Sequence, residues 1–196
     1  MSLFLQNLAE HERVFAQLRS LNAAIGSAIE AITQVMRDGG KLFLCGNGGS
    51  AADCQHISAE FVGRFIEERR PLPAIALSTD SSALTCIGND YAFEEIFSRQ
   101  IHALASSRDC LLGISTSGQS ANVLRAIDAA NELGMVTLGL TGRGGGAVAA
   151  RAKLSIVVPS DVTARIQEAH ILIGHTLCGG VEQRLGLVQS RARTTP

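Results

Sequence analysis

KLFLCGNGGS, residues 41–50, changes character halfway. Its first part, 41–46, is a short apolar run ending in glycine, the pattern of a parallel strand buried on both faces. Its second part is polar and glycine-rich, and it leads into helical periodicity over 50–63. Four more runs repeat the theme: PAIALS at 73–78, CLLGIS at 110–115, MVTLGLT at 135–141 and LSIVVP at 154–159. Helical patterns at 92–105 and 119–133 fall between them, and a long one at 162–185 follows. Five buried strands separated by helices predict an α/β fold with an open, doubly wound, five-stranded parallel sheet. Ahead of it, Leu8, Val14, Phe15, Leu18, Leu21, Ile25, Ile29, Ile32 and Val35 recur at three- and four-residue spacing, predicting a helical leader broken near Ser20. With no internal linker or repeat, residues 1–196 read as one domain: helices at 1–38, an α/β core at 39–186 and a fraying tail at 187–196.

Composition narrows the function. The 196 residues are 46% hydrophobic, enough for a full core, and 17 Lys plus Arg stand against 18 Asp plus Glu. No excess of positive charge is available to hold a nucleic-acid backbone or an anionic membrane. Zero Trp and one Tyr remove most of the platforms on which single-strand binders stack bases. No apolar run approaches bilayer-spanning length, and the first residues carry acids where a signal peptide needs bases, so a cytoplasmic protein is expected. Cys45, Cys54, Cys86, Cys110 and Cys178 are odd in number and lack CxxC spacing, which predicts reduced, mostly buried thiols.

In open parallel sheets ligands sit beyond the carboxyl ends of the strands. Two loops stand there, Cys45-Gly-Asn47-Gly48-Gly49-Ser50 and Ser115-Thr116-Ser117-Gly118-Gln119-Ser120. Gly48 and Gly49 let backbone approach an anion, and Ser50 can cap the next helix or offer its hydroxyl. An ordinary glycine turn would explain this loop equally well. Four hydroxyls in the second loop, Ser115, Thr116, Ser117 and Ser120, are harder to assign to capping alone. Together the loops favour a bound phosphate. Neither GxGxxG with a later acid nor GxxxxGK[ST] is present, so nicotinamide and P-loop nucleotide readings lack their defining residues.

His56 and Glu60 are four residues apart on one helical face, able to share a metal or a substrate atom, or merely to form a surface pair. The last helical stretch adds Gln167, Glu168, His170 and His175 among apolar neighbours. A core histidine and first-turn polar residues are the plainer explanation of these. With His56 and Glu60, however, Gln167 and His175 make a donor set of borderline softness suited to a transition metal. Gln167 and His175 are nominally about 12 Å apart along a straight helix and about 80° around it. Convergence on one ion therefore needs long side chains, an irregular helix or a site shared by subunits.

In order and spacing, CGNGGSAADCQH (45–56), GND (88–90), GISTSGQSAN (113–122), LTG (140–142) and RIQEAH (165–170) resemble the sedoheptulose-7-phosphate isomerase family, the phosphoheptose isomerases of the SIS (sugar isomerase) fold. The resemblance covers about residues 40–180. It implies an aldose–ketose isomerase that converts D-sedoheptulose 7-phosphate into D-glycero-D-manno-heptose 7-phosphate for lipopolysaccharide and other surface-glycan precursors. It also implies one Zn(2+) per subunit and a homotetramer with active sites at subunit contacts. Carried over by position, Glu60 is the base and His175 the acid, and His56, Glu60, Gln167 and His175 occupy the zinc positions. Asn47, Gly48, Gly49, Ser50, Glu60, Asn89, Asp90, Ser115, Thr116, Ser117, Ser120 and Gln167 face the substrate. A related protein of the same fold is a scaffold that binds the bacterial replication initiator. Its counterparts lack the acid–histidine pair, so Glu60 and His175 favour the enzyme. A phosphosugar-sensing regulator is the third alternative, with no appended DNA-binding segment visible.

Overall fold

The computed structural model describes residues 1–188. Its five strands are β1 (Leu42–Gly46), β2 (Ala74–Ala76), β3 (Cys110–Ser115), β4 (Val136–Thr141) and β5 (Leu154–Val157). All pair in parallel, in the order β2-β1-β3-β4-β5. Every residue of β1 and β3 is buried, which is what their unbroken apolar runs require. Alternate side chains serve two cores. Leu42, Leu44, Leu112 and Leu138 face one layer, and Phe43, Cys45 and Leu111 face the other.

The first layer comprises α1 (Leu3–Gln17), α2 (Asn22–Arg37), α3 (Gly49–Val62) and the long α8 (Thr163–Arg184). A 3₁₀ turn at Leu18–Leu21 separates α1 from α2, at the break expected near Ser20. The opposite layer holds α4 (Ser81–Asp90), α5 (Ser98–Leu104), α6 (Ala121–Glu132) and α7 (Gly146–Arg151).

Two of these helices depart from the sequence reading. The expected helix at 92–105 is a 3₁₀ turn, Phe93–Glu95, followed by the short α5, and α4 precedes it unannounced. α4 and α7 each bury a single residue fully, Ile87 and Val148, so neither carries a readable apolar stripe. The tail expected to begin at 187 lies, from 189 onward, outside the described residues. Leu187 still packs on the core, its amide donating to the Glu182 carbonyl at 3.0 Å.

Cys45, Cys54, Cys110 and Cys178 are buried and Cys86 is exposed, all as free thiols. Burial pushes Cys45 and Cys178 up to about 12, so both stay protonated and inert. Among the described residues, no helix is long and apolar enough to cross a membrane.

Candidate active site

The strand order reverses between β1 and β3, and both polar loops leave the sheet there. Asn47 and Asn122 join them by reciprocal side-chain hydrogen bonds, each 2.8 Å, from the end of β1 to the first turn of α6. This amide pair had no local sequence signal, because its partners are 75 residues apart.

After β1 the chain turns through Gly48, whose φ of 55° is a backbone conformation natural to glycine. Gly48 is the residue from which α3 starts, and no side chain caps that end. In that first turn the Ser50 amide donates to the Asn47 carbonyl at 3.0 Å and the Ala51 amide to the Gly48 carbonyl at 3.1 Å, so an anion at this N-terminus would meet the helix dipole and the amides ahead of Ser50. Ser50 is not the cap that the sequence suggested. It lies inside the first turn and is 4% exposed.

In the second loop three hydroxyls converge. Ser115 Oγ lies 2.9 Å from Ser120 Oγ and 3.4 Å from Ser117 Oγ. Ser120 begins α6 but its side chain makes no capping bond, so helix capping does not account for this group. Gly118, at φ 65°, packs against the Gly145 carbonyl so closely that a Cβ would overlap it, and its own carbonyl accepts from the Val148 amide at 3.0 Å. The hydroxyl loop is thus braced from β4's side of the sheet.

Beyond the loops, α3 and α8 run side by side, and the carboxylate and imidazole groups meet between them. His56 Nε2 lies 2.8 Å from His175 Nε2 and 3.5 Å from Glu60 Oε1. One donor atom from each of the three residues falls within 4.8 Å of the others. Gly174 permits this approach, since a Cβ there would stand 2.5 Å from Ile57 Cδ1. Two unprotonated imidazole nitrogens at 2.8 Å repel, so a proton or a shared cation belongs between them. Two histidine nitrogens and a carboxylate are the donor types zinc takes. Phe65, which the sequence reading did not single out, stacks on the His175 ring with centroids 5.2 Å apart.

Gln167, expected beside these three, has its carboxamide turned to the loop end of α3. A Cβ on Gly49 would overlap its Nε2 and lie 3.1 Å from its Cδ. Asn89 and Asp90 stand exposed at the end of α4, where Asn89 Nδ2 donates to Asp90 Oδ1 at 2.7 Å. Among the described residues, no hydrogen bond or ion pair joins either of them to the His56 cluster or to the two loops. Asp53, one turn before His56, is held above the usual carboxylate range by burial, with His56 opposing. A cavity of ≈ 670 Å³ opens beside His175, walled by Ile29, Phe65, Leu172 and Gly179.

Comparison with known proteins agrees with this architecture. The SIS domain family matches residues 6–142. A phosphoheptose isomerase of Campylobacter jejuni is 52% identical over 174 residues, covering 89% of this chain and 94% of that protein. Another, from Rhodospirillum rubrum, is 53% identical over 87% of this chain and 91% of its own length. The solved phosphoheptose isomerase of Neisseria gonorrhoeae superposes with a TM-score of 0.87 at 45% identity, over 92% of this chain and 97% of that one. That of Francisella tularensis gives 0.85 at 39%, over 93% and 100%. Two crevice loops at the switch point and a histidine–carboxylate cluster beside them thus sit on a shared scaffold with close sequence kinship, and the chain belongs to the SIS-domain phosphoheptose isomerase family.

Proposed function

We propose that this chain interconverts D-sedoheptulose 7-phosphate and D-glycero-D-manno-heptose 7-phosphate, with Glu60 as the base and His175 as the acid. The observation that carries the assignment is the meeting of His56, Glu60 and His175 between α3 and α8, on the side of the sheet where the two polar loops leave the switch point. The substrate phosphate is assigned to the hydroxyls of Ser115, Thr116, Ser117 and Ser120, with no cation needed to hold it in place. Asn47, Gly48, Gly49, Ser50 and Gln167 line the neighbouring part of the crevice, and Asn89 and Asp90 complete the substrate contacts in the assembled protein.

Isomerisation moves one hydrogen between C1 and C2. Glu60 takes a proton from C1 while His175 gives one to the C2 oxygen, forming a 1,2-enediol. Glu60 then returns its proton to C2 as His175 recovers one from the C1 hydroxyl, leaving the aldose and both side chains as they began. His56, Glu60 and His175 would hold a divalent ion, with zinc favoured by the donor types, and such an ion polarises the carbonyl when bound. In this proposal the dual demand on Glu60 is divided between its two oxygens, the one 3.5 Å from His56 serving the ion and the other the substrate.

The assembly is proposed to be a homotetramer. Leu3 and Phe4 on α1 are 72% and 69% exposed, more apolar surface than a lone leader helix keeps in water.

Turnover of sedoheptulose 7-phosphate by the purified protein tests the reading, beside Glu60→Gln and His175→Ala, with and without chelator. Each substitution is expected to lower kcat by about 10²- to 10⁴-fold, with the fold retained. Chelator is expected to suppress activity and zinc to restore it. Parent-like turnover in either variant removes that residue from the acid–base pair.

A further inference from the structure

Arg69 and Glu182 form an ion pair whose side chains are 1% and 2% exposed, with Arg69 Nε donating to Glu182 Oε1 at 2.8 Å. We propose that these two are positioning residues for the acid–base pair, a buried clamp that fixes Glu60 through its backbone and His175 through the ring behind it. The inference rests on the assignment of Glu60 and His175 as base and acid.

The connections are direct. The guanidinium of Arg69 donates to the Glu60 carbonyl at 2.6 Å, to the Gly63 carbonyl at 2.7 Å and to the Arg70 carbonyl at 3.0 Å. These belong to the end of α3 and the segment after it, where helix carbonyls lack intrahelical partners. Glu182 Oε1 also accepts from the Phe65 amide at 3.3 Å, and the Phe65 ring stacks on His175. Glu182 follows His175 by seven residues, two turns along the same face of α8. One ion pair therefore joins the helix of the base to the helix of the acid.

Stability alone does not call for such a pair, since well-packed apolar side chains often replace a buried ion pair without loss. Apolar side chains cannot hold three carbonyls and an amide in place. Lysine cannot either: it keeps the charge but lacks the planar fork that meets Glu182 and the carbonyls at once.

The test compares the parent with the double variant Arg69→Met/Glu182→Leu and with Arg69→Lys, in the zinc-loaded full chain. Melting temperature, kcat, KM and the imidazole ¹H–¹⁵N resonances of His175 are recorded. The double variant is expected to fold but to melt below the parent, because three carbonyls and the Phe65 amide lose their partner, to lose about 100-fold in kcat with KM within threefold, and to show displaced His175 resonances. Arg69→Lys is expected to fold and still lose about tenfold in kcat. Folded variants with parent kcat and unmoved resonances overturn the clamp, and if the double variant does not fold, Arg69→Lys decides alone. Glu60→Gln runs alongside. Should it retain turnover, the base assignment fails while the His175 resonances still judge the clamp.

Discussion

Gly49→Ala separates substrate binding from folding more cleanly than any other single change in the crevice. Gly49 opens α3, is exposed, and has no positive φ, so alanine suits its backbone. A methyl group there overlaps Gln167 Nε2 and meets Cδ at 3.1 Å, and the carboxamide, the far end of a flexible side chain, must swing aside. The fold loses little, because alanine is the better helix former by up to about 1 kcal/mol. On the proposed function, the substrate loses the Gln167 amide. A hydrogen bond to a charged group contributes about 1.5–3 kcal/mol, so KM should rise by about 10- to 150-fold. Steady-state kinetics with sedoheptulose 7-phosphate and a melting curve read both quantities on one sample. An unchanged melting temperature with KM within twofold of the parent would refute a substrate role for Gln167.

Acid should weaken the fold through His170. Burial pushes its imidazole down to about 4, opposed by a Thr141 backbone contact that falls short of a well-formed hydrogen bond. The unfolded chain binds that proton near the ordinary histidine value of about 6.5 and the folded chain does not, so stability is complete above 6.5 and falls as pH drops towards 4. The loss is about 3 kcal/mol, and His170→Leu should remove it; urea unfolding between pH 4 and 7 would show an unchanged slope if burial is not the cause. Phe4→Glu/Leu8→Glu places charge on the exposed face of α1 and is expected to lower the mass measured by sedimentation equilibrium, whereas an unaltered assembly would clear α1 of any part in it.

How much of this was legible depended on how local the physics was. The five strands could be read because burial on both faces forces continuous apolar runs such as Leu42–Cys45 and Cys110–Leu112. α4 could not, since SSALTCIGND buries only Ile87, and α7 could not, since six residues behind three glycines show no period. His56 and Glu60 were visible as an i, i+4 pair. Their meeting with His175 was expected from the donor set and the family resemblance, but its geometry was not legible, because it depends on the packing of residues 119 apart in sequence and on Gly174 letting the two helices approach. Arg69 and Glu182, 113 residues apart, had no local signature at all.

The difficulty that the sequence raised over Gln167 and His175 has its answer in the parallel course of α3 and α8. Gly49 lies against Gln167, Ile57 against Gly174, His56 against His175, Phe65 against Gly179, and Arg69 against Glu182. Seven residues of α3 separate Gly49 from His56 and eight of α8 separate Gln167 from His175, about 10.5 and 12 Å of rise. The two helices keep step, so Gln167 and His175 need not converge on one point. On the proposed function they address successive stations of one crevice: the glycine loop first, the imidazole–carboxylate cluster about two turns on, and the buried ion pair beyond. A seven-carbon sugar phosphate is itself extended, with its phosphate at one end and the reacting carbons at the other. On the proposed function, the glycine loop and the acid–base pair share α3 and α8 about two turns apart, which would set the polar end of the substrate and its reacting carbons at separate stations of the crevice.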